Sequence, residues 1–293
     1  MCISSLCFII GFIYSIIILI KIAKWFVKYF FPSKVDFKTK YGDGWVLITG
    51  GSEGIGFAFA KKFLQLGYKV CILSRNKDEL SQSESALKKE FPSGETKTIA
   101  YDLNKNYTNE DIKQLEKEIS LLKDDISIFV NNAGVITRKI LCELTDEQVR
   151  SMLNVNLMAM TYITKIVINI MMKRKERSLI IGSGSVNGRM RIRTRSIYSS
   201  TKSYMESFYE IMNREYGSKI DFTCLEIGAV ETALNQVNMP MKVNADTFAE
   251  SSVNYLGKYG FTTGNIKHEL LNILFWKVPF VKEIFYKKGG SMK

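Results

Sequence analysis

Histidine and proline are scarce in this chain, with one histidine, His268, and four prolines among 293 residues. A single histidine removes histidine-based catalysis and histidine-rich metal sites from consideration, and we expect His268 to lie at the surface or at an interface. The five cysteines are odd in number and lack metal-ligand or disulfide spacing, which indicates reduced thiols on the cytosolic side. No metal site is therefore predicted. No glycine- or proline-rich linker divides the chain, whose length suits one large core or two small ones.

Charge is absent from the first twenty residues, MCISSLCFIIGFIYSIIILI. As a helix this run would span about 30 Å, the thickness of the hydrocarbon core of a bilayer. It lacks the basic start and small-residue cleavage site of a signal peptide, and it is long for a buried core helix. Lys21, Lys24 and Lys28 follow it, interleaved with aromatic residues. We therefore predict a single membrane anchor over residues 1–31, with the body of the protein in the cytosol.

The formal net charge of +12 is compatible with two kinds of anionic partner, nucleic acid and anionic lipid. No recognised nucleic-acid motif is present, and the lysines are spread along the chain. A basic face beside the anchor, against anionic lipid headgroups, accounts for the charge. We therefore expect a membrane partner and no nucleic acid.

From residue 45 onward, short apolar runs alternate with segments of helical pattern. Six runs are predicted as strands, at residues 45–49, 68–73, 96–101, 126–131, 178–183 and 221–227. Near-continuous apolar strands separated by helices are typical of a parallel sheet covered by helices on both faces. We therefore predict an α/β domain over residues 45–265 with a doubly wound parallel sheet. Functional residues are expected at the carboxyl ends of its strands, where such sheets bind ligands.

Glycines follow the first predicted strand in TGGSEGIG, residues 49–56. Gly50 permits a tight turn, while Gly54 and Gly56 remove side chains where backbone must approach phosphates at a helix N-terminus. Glycines also simply make turns, but the position between a strand and a helix favours a dinucleotide-binding loop.

The second predicted strand ends in Ser74 and Arg75. A fold that selects NAD places an acidic residue here for the ribose 2′-hydroxyl, whereas a hydroxyl and a guanidinium suit a 2′-phosphate. This favours NADP(H), and the alternative is that Arg75 is simply an exposed loop residue. Asp102 and Leu103 suit the adenine amino group and ring, and the NNAG segment at 131–134 suits close contact with the cofactor.

Tyr198 and Lys202 are four residues apart, so on a helix they share one face. A lysine ammonium beside a tyrosine, with the positive charge of oxidised nicotinamide, stabilises the phenolate and makes the tyrosine a usable general acid or base. Pairs with this spacing also occur by chance. Here Ser185, just past the fifth predicted strand, can donate a hydrogen bond to a substrate carbonyl. Asn156, in a predicted helix, can hold a water that links Lys202 to solvent.

TGGSEGIG, NNAG, NVN, Ser185 and YSSTK, in this order, resemble a classical short-chain dehydrogenase/reductase over residues 45 to about 235. The resemblance implies a single Rossmann-type domain and a catalytic set of Asn156, Ser185, Tyr198 and Lys202. The predicted cofactor-binding residues are Gly50, Ser52, Glu53, Gly54, Ile55, Gly56, Ser74, Arg75, Asp102, Leu103, Asn132, Ala133, Gly134, Tyr198, Lys202, Gly228, Val230 and Thr232. The family usually has Pro-Gly after the sixth strand, where this chain has Ile227-Gly228, so we expect a looser start to that loop.

The anchor, GETKTIAYDL, YSSTKSYMESF and the segment DTFAESSVNYLGKYGFTTGNIKHELL resemble the membrane-bound very-long-chain 3-oxoacyl-CoA reductases, also described as 17-beta-hydroxysteroid dehydrogenase type 12-like. That resemblance implies NADPH-dependent reduction of a 3-oxoacyl-CoA to a 3-hydroxyacyl-CoA in fatty-acid elongation, on the cytosolic face of the endoplasmic reticulum membrane. A homodimer and elongation-complex partners are further expectations. A hydroxysteroid or retinol dehydrogenase and a 3-ketosphinganine reductase stay open as alternatives. So does a membrane-tethered NADP-binding protein without turnover.

Two charged segments complete the predictions. Four arginines alternate at Arg189, Arg191, Arg193 and Arg195, between the serine and the tyrosine. If this segment is extended, all four guanidiniums point the same way, and Arg191 and Arg193 are our candidates for binding the coenzyme A phosphates. The alternative is a solvated basic rim. Residues 266–293 form a third segment, predicted either to lie in the membrane interface or to pack as a helix over the substrate pocket.

Overall fold

The computed structural model describes residues 3–32, 34–123, 125–190, 192–233, 235 and 241–277. The chain divides into two compact units, of which the first covers Met1–Lys34 and the second begins at Val35. The described residues of the first unit contain one helix, α1 (Ile3–Phe30). Within α1, Cys7–Phe30 is long and apolar enough to cross a membrane, with a mean hydropathy of 2.2, and the side chains of residues 7–24 are all exposed. These properties agree with the predicted anchor.

The second unit begins with a short helix and then alternates strands and helices. Its strands are β1 (Trp45–Thr49), β2 (Lys69–Ser74), β3 (Thr96–Ala100), β4 (Ile126–Asn131), β5 (Ser178–Ser183), β6 (Ile220–Leu225), β7 (Val230–Glu231), β8 (Val243–Asn244) and β9 (Phe261–Thr262). Its helices are α2 (Phe37–Tyr41), α3 (Gly54–Gln65), α4 (Lys77–Glu90), α5 (Asn109–Ser120), α6 (Asp146–Leu153), α7 (Met160–Met171), α8 (Val186–Met190), α9 (Ser196–Tyr216), α10 (Ala245–Ser252) and α11 (Ile266–Lys277). A π-helical turn, Asn154–Ala159, joins α6 to α7.

The main sheet of the described chain has seven strands in the order β3-β2-β1-β4-β5-β6-β9, and every pair is parallel. The chain builds outward from β1 to β3 and then crosses back to place β4 on the other side of β1. The order therefore reverses between β1 and β4, the point at which sheets of this kind bind ligands beyond their carboxyl ends. The candidate residues after β1 and β4 lie at this crevice.

Helices cover both faces of the sheet, and β1 shows why. Trp45 and Leu47 are buried in one core with α5, α7 and α9, whereas Val46 and Ile48 are buried in the other with α3, α4 and α10. Alternate side chains of a strand point to opposite faces, so a strand that is apolar at every position needs a helical layer on each side. The segment Asp146–Met171 is also apolar enough to span a membrane, but 56% of its 18-residue apolar window is buried, which indicates a core helix.

Side-chain caps fix where several helices begin. Thr108 and Asp111 form a reciprocal capping box at the start of α5, and Thr145 and Gln148 form another at the start of α6. Each box satisfies backbone N–H groups that lack partners within the first turn of a helix.

The predicted fold class, a doubly wound α/β domain, is confirmed, and five of the six predicted strands agree with the structure to within one residue at each end. The largest difference is at the sixth, predicted to end at Ile227, because β6 ends at Leu225 and the carbonyl oxygen of Ile227 instead accepts the backbone N–H of Val186 at 3.1 Å. The seventh strand, β9, was not predicted because two residues carry no periodic signal.

Candidate active site

The loop between β1 and α3 is shaped by its glycines. Gly50 and Gly54 have φ values of +62° and +57°, in the left-handed region that favours glycine. A Cβ at Gly56 would overlap the carbonyl oxygen of Gly50 and lie 2.7 Å from Nδ2 of Asn132. The turn is therefore closed tightly onto the start of α3, and it forms a side-chain-free cradle at a helix N-terminus.

Asn132, after β4, fastens this loop from the neighbouring strand. Its Nδ2 donates to the carbonyl oxygens of Thr49 and Gly50, at 3.1 Å each, and its Oδ1 accepts from Oγ of Ser183 at 3.0 Å. The backbone N–H groups of Asn132 and Ala133 both donate to Oγ1 of Thr49. Three adjacent strand ends, of β1, β4 and β5, are thus held in one hydrogen-bonded network.

The end of β2 places the residues predicted to select the cofactor. Oγ of Ser52, in the glycine loop, donates to Oγ of Ser74 at 3.1 Å, which sets Ser74 beside the cradle. Arg75 and Asp102 are exposed, and the backbone N–H of Asn104 donates to Oδ1 of Asp102 at 2.9 Å. Leu103 is buried in the core with α5. An arginine, and no carboxylate, thus follows β2 where the 2′ position of a bound dinucleotide would lie.

His268 is buried, and the expectation that it lies at the surface or an interface is wrong. Its ring, in α11, has no exposed area, accepts the backbone N–H of Gly228 at Nδ1 (3.3 Å) and lies 3.1 Å from the carbonyl oxygen of Ala229 at Nε2. Burial lowers the pKa of His268, so the ring stays neutral and Nε2–H donates to Ala229. The loop that carries Gly228, Val230 and Thr232 is therefore braced at its start, where a looser conformation was expected without Pro-Gly.

Helix α9 carries Tyr198 and Lys202, and Gly182 of β5 lets it approach the sheet. A Cβ at Gly182 would overlap the ring of Tyr209, so glycine makes room for this helix against the strand. Lys202 is buried at 4% exposure, and its Nζ donates to the carbonyl oxygen of Ser183 at 2.6 Å. Nζ also lies 5.7 Å from the ring centroid of the half-buried Tyr198. A buried ammonium is thus held beside a tyrosine at the carboxyl end of β5.

Asn156 lies in the π-helical turn and faces the backbone after β4. Its Oδ1 accepts from the N–H of Val135 and its Nδ2 donates to the carbonyl oxygen of Val135, at 2.8 Å each. A Cβ at Gly134 would lie 3.4 Å from Oδ1 of Asn156 and 3.6 Å from Nζ of Lys202. The two side chains therefore approach the same glycine. The extra residue of a π turn redirects the side chains of a helix, and such turns are frequent at functional sites.

Ser185 has a partner that sequence reasoning missed. Its Oγ accepts from the backbone N–H of Asn187 at 3.2 Å and from Nδ2 of Asn187 at 3.0 Å. Oδ1 of Asn187 in turn accepts from Nη1 of Arg195 at 2.7 Å. A hydroxyl oxygen that accepts hydrogen bonds has a more polarised O–H bond. The two hydrogen bonds from Asn187 therefore make Ser185 a better donor toward a substrate oxygen. An asparagine two residues after the serine was the available signal.

The four arginines do not form a row. Arg189 lies in α8, and Thr194, with φ of +67°, turns the backbone sharply between Arg193 and Arg195. The premise of an extended segment is therefore wrong for the described residues. Arg193 is exposed, Arg195 is half-buried, and Arg191 lies outside the described residues.

Arg189 instead joins two carboxylates that are mostly buried. Its Nη2 lies 2.5 Å from Oε1 of Glu226, after β6, and its Nε donates to Oε2 of Glu206, on α9, at 3.3 Å. Nδ2 of Asn272, on α11, donates to Oε2 of Glu226 at 3.3 Å. Burial raises the pKa of Glu206 from 4.5 to about 7, with Arg189 opposing and Glu226 adding to the rise. This cluster ties α8, which follows Ser185, to the helix that carries Tyr198.

Glu206→Gln is expected to remove a pH dependence of stability between about pH 5 and 7. Because the pKa of Glu206 is higher in the folded state, the folded chain holds a proton that the unfolded chain has released. Stability therefore falls as pH rises through this window, and the ionised carboxylate is unfavourable above it. We expect the variant to match wild type at pH 5 and to exceed it by about 1–2 kcal/mol at pH 8, allowing for solvent screening.

Urea unfolding at both pH values measures this difference. Glu210→Gln, which removes an exposed carboxylate paired with Arg214 on the same helix, is the matched control and should show no change in pH slope. An equal loss of stability at pH 5 and pH 8 in Glu206→Gln would contradict the prediction, since it would assign Glu206 a role that does not depend on its charge.

The remaining predictions concern cysteines and the third segment. Among the described residues, Cys7, Cys71, Cys142 and Cys224 are free, and no cluster of potential metal ligands is found. The start of α11 packs at the carboxyl end of the sheet through His268 and Asn272, while residues 278–293 lie outside the described residues.

The geometry brings Asn156, Ser185, Tyr198 and Lys202 together at one end of the sheet, beside the glycine cradle. Ser185 is buried at 4% exposure and Asn156 at 1%, so the polar groups act in a site from which bulk water is largely excluded. A tyrosine hydroxyl, a serine hydroxyl and a nearby ammonium can exchange a proton with a carbonyl or alcohol oxygen and stabilise the charge that develops there.

Comparison with known proteins gives this arrangement a family. The chain is 30% identical over 234 residues to the very-long-chain 3-oxoacyl-CoA reductase of Mus musculus, covering 78% of this chain and 73% of that protein. It is 32% identical over 262 residues to 17-beta-hydroxysteroid dehydrogenase type 3 of Danio rerio, covering 86% and 82%. The structure of a short-chain dehydrogenase from Sphingobium yanoikuyae in complex with NADPH superimposes with a TM-score of 0.66 at 23% identity, covering 72% and 84%, a likeness of fold. Residues 44–242 match the family model described as short chain dehydrogenase, and the chain belongs to that family.

Proposed function

We propose that the chain is a membrane-anchored, NADPH-dependent reductase that converts a 3-oxoacyl-CoA to a 3-hydroxyacyl-CoA in fatty-acid elongation. The observation that carries the reductase assignment is the placement of Tyr198 beside the buried Lys202, whose Nζ is held by Ser183, with the buried Ser185 two residues further along the chain. The acyl-CoA assignment is supported by the similarity to the mouse very-long-chain 3-oxoacyl-CoA reductase, and the apolar helix α1 supports work on a lipid substrate at a membrane.

The residues around the glycine loop fit a bound dinucleotide phosphate. The cradle of Gly50, Gly54 and Gly56 has no room for a Cβ at Gly56. Without side chains at these positions, a pyrophosphate can approach the backbone N–H groups at the start of α3. The exposed guanidinium of Arg75, with the hydroxyl of Ser74, suits a 2′-phosphate, which favours NADPH over NADH. When bound, NADPH supplies the hydride that reduces the carbonyl carbon.

The protein residues then handle the oxygen and its proton. Ser185 donates a hydrogen bond to the carbonyl oxygen, and the hydroxyl of Tyr198 gives up its proton to that oxygen as it gains negative charge. The ammonium of Lys202 stabilises the phenolate that remains, at low cost because Ser183 already holds it in place. Asn156, beside Gly134, lines the route by which a proton returns to this pair.

Three further assignments belong to the same proposal. Arg193, exposed in the turn before α9, is a candidate for binding the coenzyme A phosphates, as is Arg191, outside the described residues. The endoplasmic reticulum membrane, with the second unit in the cytosol, is the proposed location because Lys21, Lys24 and Lys28 follow the apolar run of α1. The same proposal includes that the chain forms a homodimer and binds partners in an elongation complex.

A hydroxysteroid dehydrogenase is the second candidate, favoured by the similarity to the zebrafish 17-beta-hydroxysteroid dehydrogenase type 3. It would use the same catalytic set on a different ketone, as would a retinol dehydrogenase or a 3-ketosphinganine reductase. A tethered protein without turnover would have no use for the buried Lys202 beside Tyr198, because an uncompensated buried ammonium is costly to keep.

NADPH oxidation by the full chain in detergent, measured against a panel of ketones, tests the proposal. The panel contains 3-oxoacyl-CoAs of increasing length, their N-acetylcysteamine thioesters, a steroid ketone and 3-ketosphinganine. We expect the highest kcat/KM for a long-chain 3-oxoacyl-CoA. Arg193→Ser should raise KM for the CoA thioester more than for the cysteamine thioester, which has no phosphates. A higher kcat/KM for the steroid or for 3-ketosphinganine would replace the proposed substrate.

A further inference from the structure

Arg195 is held beside the catalytic serine by a relay of two hydrogen bonds. Its Nη1 donates to Oδ1 of Asn187 at 2.7 Å, and Nδ2 of Asn187 donates to Oγ of Ser185 at 3.0 Å. The carbonyl oxygen of Arg195 accepts the backbone N–H of Ser199 at 2.7 Å, which ties the residue to the helix that carries Tyr198. Arg195 is half-buried and therefore belongs to the relay that ends at Ser185 instead of a solvated rim.

Part of this guanidinium lacks a protein partner. Nε of Arg195 is buried and has no hydrogen-bond partner among the residues that the structure describes. Burial, followed by the positive charge of Arg138 in the loop after β4, lowers the pKa of Arg195, whereas Tyr198 raises it. An unsatisfied buried N–H is unfavourable, and the side chain of Arg195, which is only half-buried, has further guanidinium N–H groups that can donate to a polarised oxygen. A substrate would supply that oxygen.

We propose that Arg195 donates a hydrogen bond to the thioester carbonyl oxygen of a 3-oxoacyl substrate while Ser185 and Tyr198 hold the 3-oxo oxygen. This inference rests on the proposed function and names the residue that would recognise the second carbonyl. The two carbonyl groups of such a substrate are separated by one methylene. A substrate bound through its 3-oxo oxygen therefore presents the second oxygen close by, on the side where the Ser185–Asn187–Arg195 relay lies.

The same guanidinium discriminates against the competing ketones. 3-Ketosphinganine carries an ammonium on the carbon next to its ketone, and Arg195 repels that charge. A steroid ketone without a second carbonyl one methylene away gains nothing from Arg195. Specificity for a 1,3-dicarbonyl thus combines an attractive contact for the intended substrate with repulsion of an amino ketone.

Arg195→Gln in the full chain, assayed with NADPH in detergent, tests this assignment. Three substrates of equal chain length are compared: a 3-oxoacyl N-acetylcysteamine thioester, a 2-ketone without the thioester, and 3-ketosphinganine. We expect kcat/KM to fall about 10- to 100-fold for the thioester, to change less than about threefold for the 2-ketone, and to rise for 3-ketosphinganine. Arg214→Gln, on the exposed end of α9, is the matched control.

Each other outcome has a definite meaning. An equal fall for all three substrates, or an unchanged value for the thioester, overturns the assignment. If Arg195→Gln fails to fold, Arg195→Lys keeps the charge but not the forked geometry, and the ratio of thioester to 2-ketone must still fall. A wild-type protein that does not reduce the thioester would refute the proposed function instead, and the 2-ketone and 3-ketosphinganine values of the variant would still test the repulsion by Arg195.

Discussion

Replacing Tyr198 with phenylalanine is expected to lower kcat/KM for ketone reduction by about 1000-fold or more, with NADPH binding retained. The variant keeps the aromatic ring that packs near Nζ of Lys202 but loses the proton that the carbonyl oxygen must receive. General acid catalysis by a positioned side chain contributes about 100- to 10,000-fold. Ser185 is hydrogen-bonded to the neutral amide of Asn187, which does not supply a proton to replace the one that is lost. NADPH oxidation under saturating ketone, with NADPH affinity from fluorescence titration, measures both quantities.

Tyr204→Phe is the matched control for this experiment. Tyr204 lies on the same helix, and its hydroxyl is 3.1 Å from Oγ1 of Thr161, so its removal costs one hydrogen bond away from the catalytic set. We expect it to retain nearly full kcat. Full activity in Tyr198→Phe would exclude the tyrosine as the proton donor and would point to a protein that binds ketones in another way.

The site residues that belong to sequence motifs could be predicted, because each motif has a residue type that the local backbone geometry requires at a given position. Gly50 and Gly56 are fixed by a left-handed φ and by a close approach between loop and helix, neither of which another residue satisfies well. Tyr198 and Lys202 share a helix face at a spacing of four, and the helix is present as α9. Local geometry and residue type carried the prediction in these cases.

Apart from Asn187, which is close to Ser185 in the sequence, the contacts that sequence reasoning missed join distant segments. His268 reaches Gly228 across 40 positions, and Asn272 reaches Glu226 across 46. No periodicity reports such pairs. A signal was available at Glu226, because a carboxylate directly after a continuous apolar strand has to find a cation, and Arg189 is that cation.

The arginine segment shows a different limit. A spacing of two predicts a common direction only if the backbone is extended, and the conformation of a loop depends on residues such as Thr194 whose φ cannot be deduced from composition. The result is a division of roles. Arg189 binds carboxylates, Arg195 joins the serine relay, and Arg193 faces solvent.

Gly56→Ala is expected to weaken NADPH binding by about 100-fold or more and to lower stability, because the new Cβ would overlap the carbonyl oxygen of Gly50 and press on Nδ2 of Asn132. Neither neighbour can yield easily. Gly50 is held by its N–H to the carbonyl oxygen of Leu73 at 2.8 Å, and Asn132 joins the strand ends of β1, β4 and β5. Overpacking of a rigid site costs about 1–3 kcal/mol, and a displaced loop also loses its contacts to the cofactor phosphates.

Isothermal titration with NADPH and thermal unfolding of Gly56→Ala, with and without NADPH, separate the two effects. Gly260→Ala is the matched control, since nothing lies within 4 Å of its added methyl group, and it should bind NADPH as wild type does. The loop argument predicts a specific pattern: NADPH raises the unfolding temperature of wild type and Gly260→Ala but not of Gly56→Ala, because only a ligand that still binds the folded state stabilises it. A Gly56→Ala protein that NADPH stabilises as strongly as wild type would place the cofactor phosphates away from this loop.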